Sequence, residues 1–303
     1  MIILKIIANL IPSKDGRHRM RKIAKKYSVS ALAAYIKIKC NNTEPHYYFS
    51  ICAIAKNEGR YFAEWIEYHK GLGCEKFYIY DNESTDNTRA VLQPYIASKL
   101  VEYNFIAGKK KQRTAYDKCL RRHRFDSRWI AFIDLDEFIV PMKNETIPEF
   151  LQYYEDFSGI EINWLIYGSD GQKQRTDGFV IDRFRSHSLP NFDQNRHIKS
   201  IINPRKAFSF IGAHEAACLS GKTVDTNKKI VHKTFWEREP LQDKIRINHY
   251  AVKSYEEFLE KRSRGNARKH KLRNLDFFDQ YNRNEVKNDT TMDKYIAKLK
   301  KVL

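Results

Sequence analysis

No stretch of this 303-residue chain is long and apolar enough to span a bilayer. The nearest candidate, MIILKIIANLI at the start, is too short and is interrupted by Lys5. It also runs into a basic segment rather than a cleavage site, which argues against a signal peptide. Cysteine is scarce and odd in number: Cys40, Cys52, Cys74, Cys119 and Cys218, with no C-x-x-C spacing. That pattern argues against a disulfide framework and a cysteine-held zinc site, and it fits a reducing cytoplasm. No internal repeat or low-complexity tract is present, which leaves one large domain, with or without extensions.

Acidic residues are outnumbered, and the imbalance is uneven. The net charge of +18 divides into +8 over residues 1–48, +4 over 49–248 and +6 over 249–303. A near-neutral central block with basic ends favours an anionic partner: nucleic acid, an acidic membrane surface or a diphosphate ligand. The chain carries no nucleic-acid-binding motif and its excess charge lies outside the central block, so nucleic acid ranks low among these. Ile2, Ile3, Ile6, Ile7, Leu10 and Ile11 share one helical face, and Arg17, Arg19, Arg21, Lys22, Lys25 and Lys26 follow. Such a segment is expected to lie on an anionic membrane, the alternative being a helix packed on the protein's own core.

From Tyr47 to about Gly168, strand-like and helix-like patterns alternate, which predicts an α/β domain with a largely parallel sheet. Phe62, Trp65, Ile66, His69 and Leu72 have helical spacing, and Gly71 and Gly73 end that run. Thr146 with Glu149, and Ser254 with Glu257, have capping-box spacing and open two further helices. The expected division is a basic N-terminal segment over 1–46, a catalytic domain over 47–250 and a basic helical extension over 251–303.

Residues Trp129 to Phe138 read W-I-A-F-I-D-L-D-E-F. The run reads as a buried strand that ends in Asp134, Asp136 and Glu137. Residues two apart in a strand face the same side, so Asp134 and Asp136 are expected to converge. Adjacent carboxylates repel unless a cation lies between them, and oxygen ligands suit Mg2+ or Mn2+. A solvated strand end with a chance D-x-D is the plainer alternative. Lys56-Asn57-Glu58 and Asp81-Asn82-Glu83-Ser84 end two other expected strands, and ligands in such sheets bind beyond the carboxyl ends of the strands.

Taken in order, A-I-A-K-N-E-x5-E-W-I-x-Y-H-x3-G, Y-D-N-x-S-x-D, D-x-D-E-F, Lys199-Ser-Ile and N-H-Y-x-x-K-S-x-E-E-F-x-x-K-x-x-R-G resemble the glycosyltransferase family 2 relatives grouped with family 92. The likeness runs over roughly residues 48–265. It implies a GT-A, Rossmann-like fold: a mixed, mainly parallel sheet flanked by helices, here with N- and C-terminal helical extensions. It also implies a nucleotide-sugar donor, a UDP-sugar first, a glycan or glycolipid acceptor, Mn2+ or Mg2+, and inversion at the anomeric carbon. The basic N-terminus resembles that of bacterial enzymes that build lipopolysaccharide or capsule on the cytoplasmic face of the inner membrane. A catalytically inactive carbohydrate-binding relative is the competing reading.

Transferred residue by residue, the resemblance gives a set of expected roles. Asp81, with Asn57, Glu58 and Asp86 as neighbours, is expected to hold the nucleotide. Asp136 is expected to bind the metal, with Asp134 as a second ligand or a ribose contact and His249 as a late ligand. Lys199, Lys253, Arg262 and Arg264 are candidates to close over the phosphates. Glu215 is the leading candidate for the base, with His214 beside it and Asp170 as runner-up. Trp164 and Tyr167 are candidates to stack on the acceptor sugar.

Overall fold

Strand β1 (Tyr47–Ala55) places Phe49, Ile51, Ala53 and Ala55 in one buried layer, and Cys52 and Ile54 in the opposite one. This is the period-two alternation of a strand covered on both faces. The computed structural model describes residues 29–231, 235–264 and 274–303. The amphipathic and polybasic segment at residues 2–26 lies outside the described residues, and the description opens with helix α1 (Val29–Lys39).

The chain then alternates as α2 (Gly59–Gly71), β2 (Lys76–Asp81), α3 (Thr88–Ala97), β3 (Val101–Phe105), α4 (Gln112–Arg122) and β4 (Ser127–Phe132). Beyond these come β5 (Glu137–Pro141), α5 (Ile147–Gln152), β6 (Gly159–Ile166), α6 (Val180–Arg183) and β7 (Ile198–Ile202). A hairpin of β8 (Ala207–Phe210) and β9 (Ala216–Cys218) follows, then β10 (Thr223–Val224), β11 (Ile245–His249), α7 (Tyr255–Ser263), α8 (Asp276–Tyr281) and α9 (Asp293–Leu299). The main sheet has the order β3-β2-β1-β4-β7-β6-β11-β5, with β10 paired to β6. Strands β3, β2, β1 and β4 are mutually parallel, β11 and β10 are parallel to β6, and β7 and β5 run antiparallel to their neighbours. The fold is therefore mixed α/β with a mainly parallel sheet between helices, as the alternation predicts.

Helices α2, α3 and α5 cover one face, through residues such as Trp65, Leu92 and Phe150. Helix α4 covers the other with Ala115, Tyr116, Cys119 and Leu120, against Phe210 of the hairpin. Both expected capping boxes are present, at Thr146 with Glu149 on α5 and at Ser254 with Glu257 on α7. The C-terminal helices bury Phe258, Tyr295, Ile296 and Leu299 in the same core as the sheet. Among the described residues no helix is long and apolar enough to cross a membrane.

One expectation is corrected. W-I-A-F-I-D-L-D-E-F is two strands, not one. β4 stops at Phe132, the chain turns at Asp134–Glu137, and β5 begins at Glu137. The turn is closed twice: the Glu137 N–H donates to the Asp134 carbonyl at 3.1 Å, and the Asp134 N–H donates to Glu137 Oε2 at 2.9 Å. The second strand leaves β4 entirely and pairs with β11 at the far edge of the sheet. Asp134 and Asp136 thus reach one cleft through a turn, not through strand alternation.

Candidate active site

The parallel strands all end at one edge of the sheet. Ala55 of β1 stands beside Asp81 of β2, which stands beside Phe105 of β3. β11 delivers His249 to the same edge, in register with Ile166 of β6 and with Glu137 of β5. The antiparallel β7 starts there, so Lys199 lies near its beginning. A cleft of about 450 Å³ opens over this edge. Asp134, Asp136, Lys199, His214, His249 and Lys261 are among its lining residues.

The two aspartates are held differently. Asp134 Oδ1 accepts from Gln112 Nε2 at 3.0 Å and Tyr116 Oη at 3.3 Å, and its Oδ2 lies 2.7 Å from Lys199 Nζ. Asp136 Oδ2 is contacted by Lys261 Nζ and lies 3.5 Å from His249 Nε2. Burial pushes both carboxyls up. Lys199, Lys261 and His249 outweigh it, leaving Asp134 below and Asp136 well below the ordinary carboxylate range. Glu137, fully buried beneath the turn, goes the other way because burial dominates, although Lys199 stands 3.4 Å away. Burial would lower the Lys199 ammonium, but Asp134 and Glu137 carry it well above the usual lysine value.

An aromatic wall stands beside the carboxylates. Trp164 of β6 stacks on His197 at 4.6 Å and contacts His249 at 4.2 Å between ring centroids. Trp236, half exposed, meets His197 edge-on at 4.3 Å. His214 donates through its Nδ1–H to the Ile198 carbonyl, 2.8 Å away, and burial lowers its pKa to about 3. The Trp164 Nε1–H is buried without a partner among the described residues, as is His249 Nδ1.

On the other bank, Asn57 and Asp86 tie two loops together. Asn57 Oδ1 accepts from the Thr85 N–H at 2.7 Å, and Asp86 Oδ2 accepts from the Gly59 N–H at 2.9 Å. Asp81 ends β2 with both oxygens engaged, by the Ser84 N–H at 2.9 Å and by Tyr103 Oη at 2.6 Å. Its neighbour Asn82 lines the cleft, as does Glu58. Arg264, at the end of α7, pairs with Glu58 at 2.9 Å and donates to the carbonyls of Lys56 and Asn57.

Eight candidates lie away from the cleft lining: Asn57, Asp81, Asp86, Tyr167, Asp170, Glu215, Lys253 and Arg262. Lys253 is buried at a φ of 56°, its Nζ 4.2 Å from the Tyr61 ring centre. Asp170 is exposed and accepts backbone N–H bonds from Arg185 and, at 3.1 Å, Ser186. Tyr167 donates to Asp289 within the core. Glu215 is half-buried in the hairpin, directly after His214. The residue that the sequence reading passed over is Lys261. A signal was available: Lys261 is the lysine of E-E-F-x-x-K, one helical turn after the capping Glu257.

A divalent cation fits this donor set. Asp136 and His249 present a hard oxygen and an imidazole nitrogen side by side, and the far ring nitrogen of His249 is unengaged. Among the described residues no three His, Cys, Asp or Glu side chains converge on one point, so the protein itself would supply few ligands. Phosphate oxygens and water complete such a shell.

Comparison with known proteins gives the following. The family model described as Glycosyltransferase family 92 matches residues 47–278. A glycosyltransferase family 92 protein of Oryza sativa subsp. japonica is 32% identical over 105 residues, which are 34% of this chain and 18% of its own length. The galactan beta-1,4-galactosyltransferase GALS3 of Arabidopsis thaliana is 28% identical over 204 residues, covering 62% of this chain and 37% of its own. The chain therefore spans well under half the length of these curated relatives. Among solved structures, S. aureus TarS in complex with UDP shares 14% identity, over 52% of this chain and 47% of that one, with a TM-score of 0.36. A likeness this distant carries no argument.

Proposed function

The chain belongs to glycosyltransferase family 92, and from that premise we propose that it moves a sugar from a nucleotide-sugar donor to a glycan or glycolipid acceptor. The observation that carries the reading is the meeting of Asp136 with His249 in a cleft at the carboxyl ends of the parallel strands. The fold it fits is GT-A, with 134–136 as the D-x-D. A UDP-sugar is the favoured donor, and UDP-galactose is the first to test because galactan galactosyltransferases stand among the relatives.

Asp136 and His249 would hold Mn2+ or Mg2+, which supplies a Lewis acid at the donor's leaving phosphate when bound. Asp134, fixed by Gln112, Tyr116 and Lys199, orients whatever its remaining lone pairs accept, a ribose hydroxyl or a bound water. Asp81, Asn57 and Glu58 flank the nucleoside side. Trp164 lines the cleft, its Nε1–H without a partner among the described residues, and is the candidate to meet the acceptor sugar. Glu215 is the proposed base, one residue from the cleft-lining His214. It takes the acceptor's proton as the new bond forms with inversion. The acceptor belongs to surface polysaccharide, and the basic ends hold the enzyme on the cytoplasmic face of an anionic membrane.

The test is a thermal-shift screen of UDP-, GDP-, CMP- and dTDP-sugars with and without Mn2+. One nucleotide class is expected to stabilise the protein only when metal is present. Stabilisation by no donor, or equally by all without metal, contradicts the reading.

A further inference from the structure

We propose that Lys261 is a catalytic residue: Asp136 holds its ammonium at the cleft, and the ammonium passes to the donor's diphosphate when a divalent cation takes Asp136. The proposal rests on the transferase reading above. Lys261 Nζ contacts Asp136 Oδ2 and donates to the Ala251 carbonyl at 2.8 Å. The side chain is 11% exposed and faces the cleft. The same carboxylate oxygen lies 3.5 Å from His249 Nε2. An ammonium and a divalent cation cannot share that oxygen without strong repulsion at close range. One displaces the other, and the flexible four-carbon stem of lysine lets its head move.

The backbone beneath Lys261 is anchored at both ends of its helix. Helix α7 starts with the Ser254–Glu257 capping box, and Glu257 is bound by Arg183 at 2.7 Å and by Tyr61 Oη at 2.8 Å. At the other end, Arg264 ties the helix to Glu58 and the Lys56 carbonyl. The helix therefore holds the root of Lys261 over the cleft.

In the transfer, a bond forms between the acceptor oxygen and the anomeric carbon. The bond from that carbon to the diphosphate oxygen breaks, and its electron pair stays on the diphosphate. The acceptor's proton goes to the base. Lys261 keeps its own proton and neutralises the charge that develops on the leaving group. Nothing is oxidised or reduced.

The experiment pairs Mn2+ titration of the free protein, read by electron paramagnetic resonance, with steady-state kinetics on a UDP-sugar. Lys261→Met is expected to bind Mn2+ at least about tenfold more tightly, because a competing cation is gone. Its kcat is expected to fall by about 10²-fold or more. Lys261→Arg, which keeps the charge, is expected to restore part of kcat and to return the Mn2+ affinity towards wild type. A lysine that only balances charge would not give tighter metal binding together with slower turnover. Should Lys261→Met fail to fold, Lys261→Gln serves the same two readouts. Unchanged or weaker Mn2+ binding, or kcat within twofold of wild type, overturns the proposal while wild-type turnover keeps the transferase reading. If wild-type protein turns over no nucleotide-sugar, the transferase reading fails and takes this proposal with it.

Discussion

Lys199 Nζ lies 2.7 Å from Asp134 Oδ2 and 3.4 Å from Glu137 Oε2, so one ammonium from β7 joins the turn after β4 to the start of β5. Lys199 is 1% exposed and Glu137 is fully buried. Removing one member of such a cluster leaves buried charge without a counter-ion. Lys199→Met is expected to lower stability by about 3–5 kcal/mol, measured by urea unfolding. A loss under about 1 kcal/mol would show that the cluster is solvated.

His69 makes stability depend on pH. Its Nε2 accepts from the Ile139 N–H at 3.3 Å, which fixes a neutral ring whose Nδ1–H donates to the Trp65 carbonyl at 2.8 Å. Burial lowers its pKa to about 3. The folded-state value lies below the unfolded one, so the contribution is complete above about pH 6.5 and is lost as pH falls towards 3. Within that window each such histidine costs about 1.4 kcal/mol per pH unit. His214, lowered to about 3 by burial and by Lys199, adds a second contribution of the same sign. His69→Leu is expected to flatten the slope of stability against pH between 6.5 and 5. Parallel slopes for variant and wild type would remove His69 from the account.

Helix α7 depends on its first turn. Ser254→Ala removes a cap and is expected to cost about 1 kcal/mol. Glu257→Ala also strips Arg183 of its buried partner, the two side chains being 7% and 1% exposed, and is expected to cost about 3–5 kcal/mol. Chemical denaturation of the two variants checks the order. Equal losses would mean that the Arg183–Glu257 pair contributes nothing beyond the cap.

The base assignment separates two carboxylates by their neighbours: Glu215 follows the cleft-lining His214, and Asp170 is bonded to the backbone of Arg185 and Ser186. Glu215→Gln is expected to lower kcat by about 10²–10⁴-fold with little change in KM for the donor. Asp170→Asn is expected to keep turnover, since the Asp170 carboxylate is already engaged by the backbone N–H groups of Arg185 and Ser186. The reverse pattern in steady-state kinetics would move the base to Asp170.

Much of this was legible in the chain because it is local. Alternation in β1, the helical spacing of Trp65 and His69, and the capping pairs at Thr146 and Ser254 are short-range patterns, and each produced its element. The break inside W-I-A-F-I-D-L-D-E-F was not legible, because the turn at Asp134–Glu137 contains no glycine, proline or asparagine to mark it. Its two halves are parted by sheet pairing with β1 and β11, which is decided far away in sequence. Lysine roles were equally non-local. Lys253 and Lys261 stand in one motif eight residues apart, yet a left-handed backbone buries the first against Tyr61 and a helix turns the second into the cleft.

The most direct test of the central claim is nucleoside diphosphate release from a UDP-sugar, with acceptor and Mn2+, by wild type and by Asp136→Asn of equal folded content. The account predicts metal-dependent release by wild type and a loss of about 10²–10³-fold in the variant. Release by the variant at the wild-type rate would contradict it.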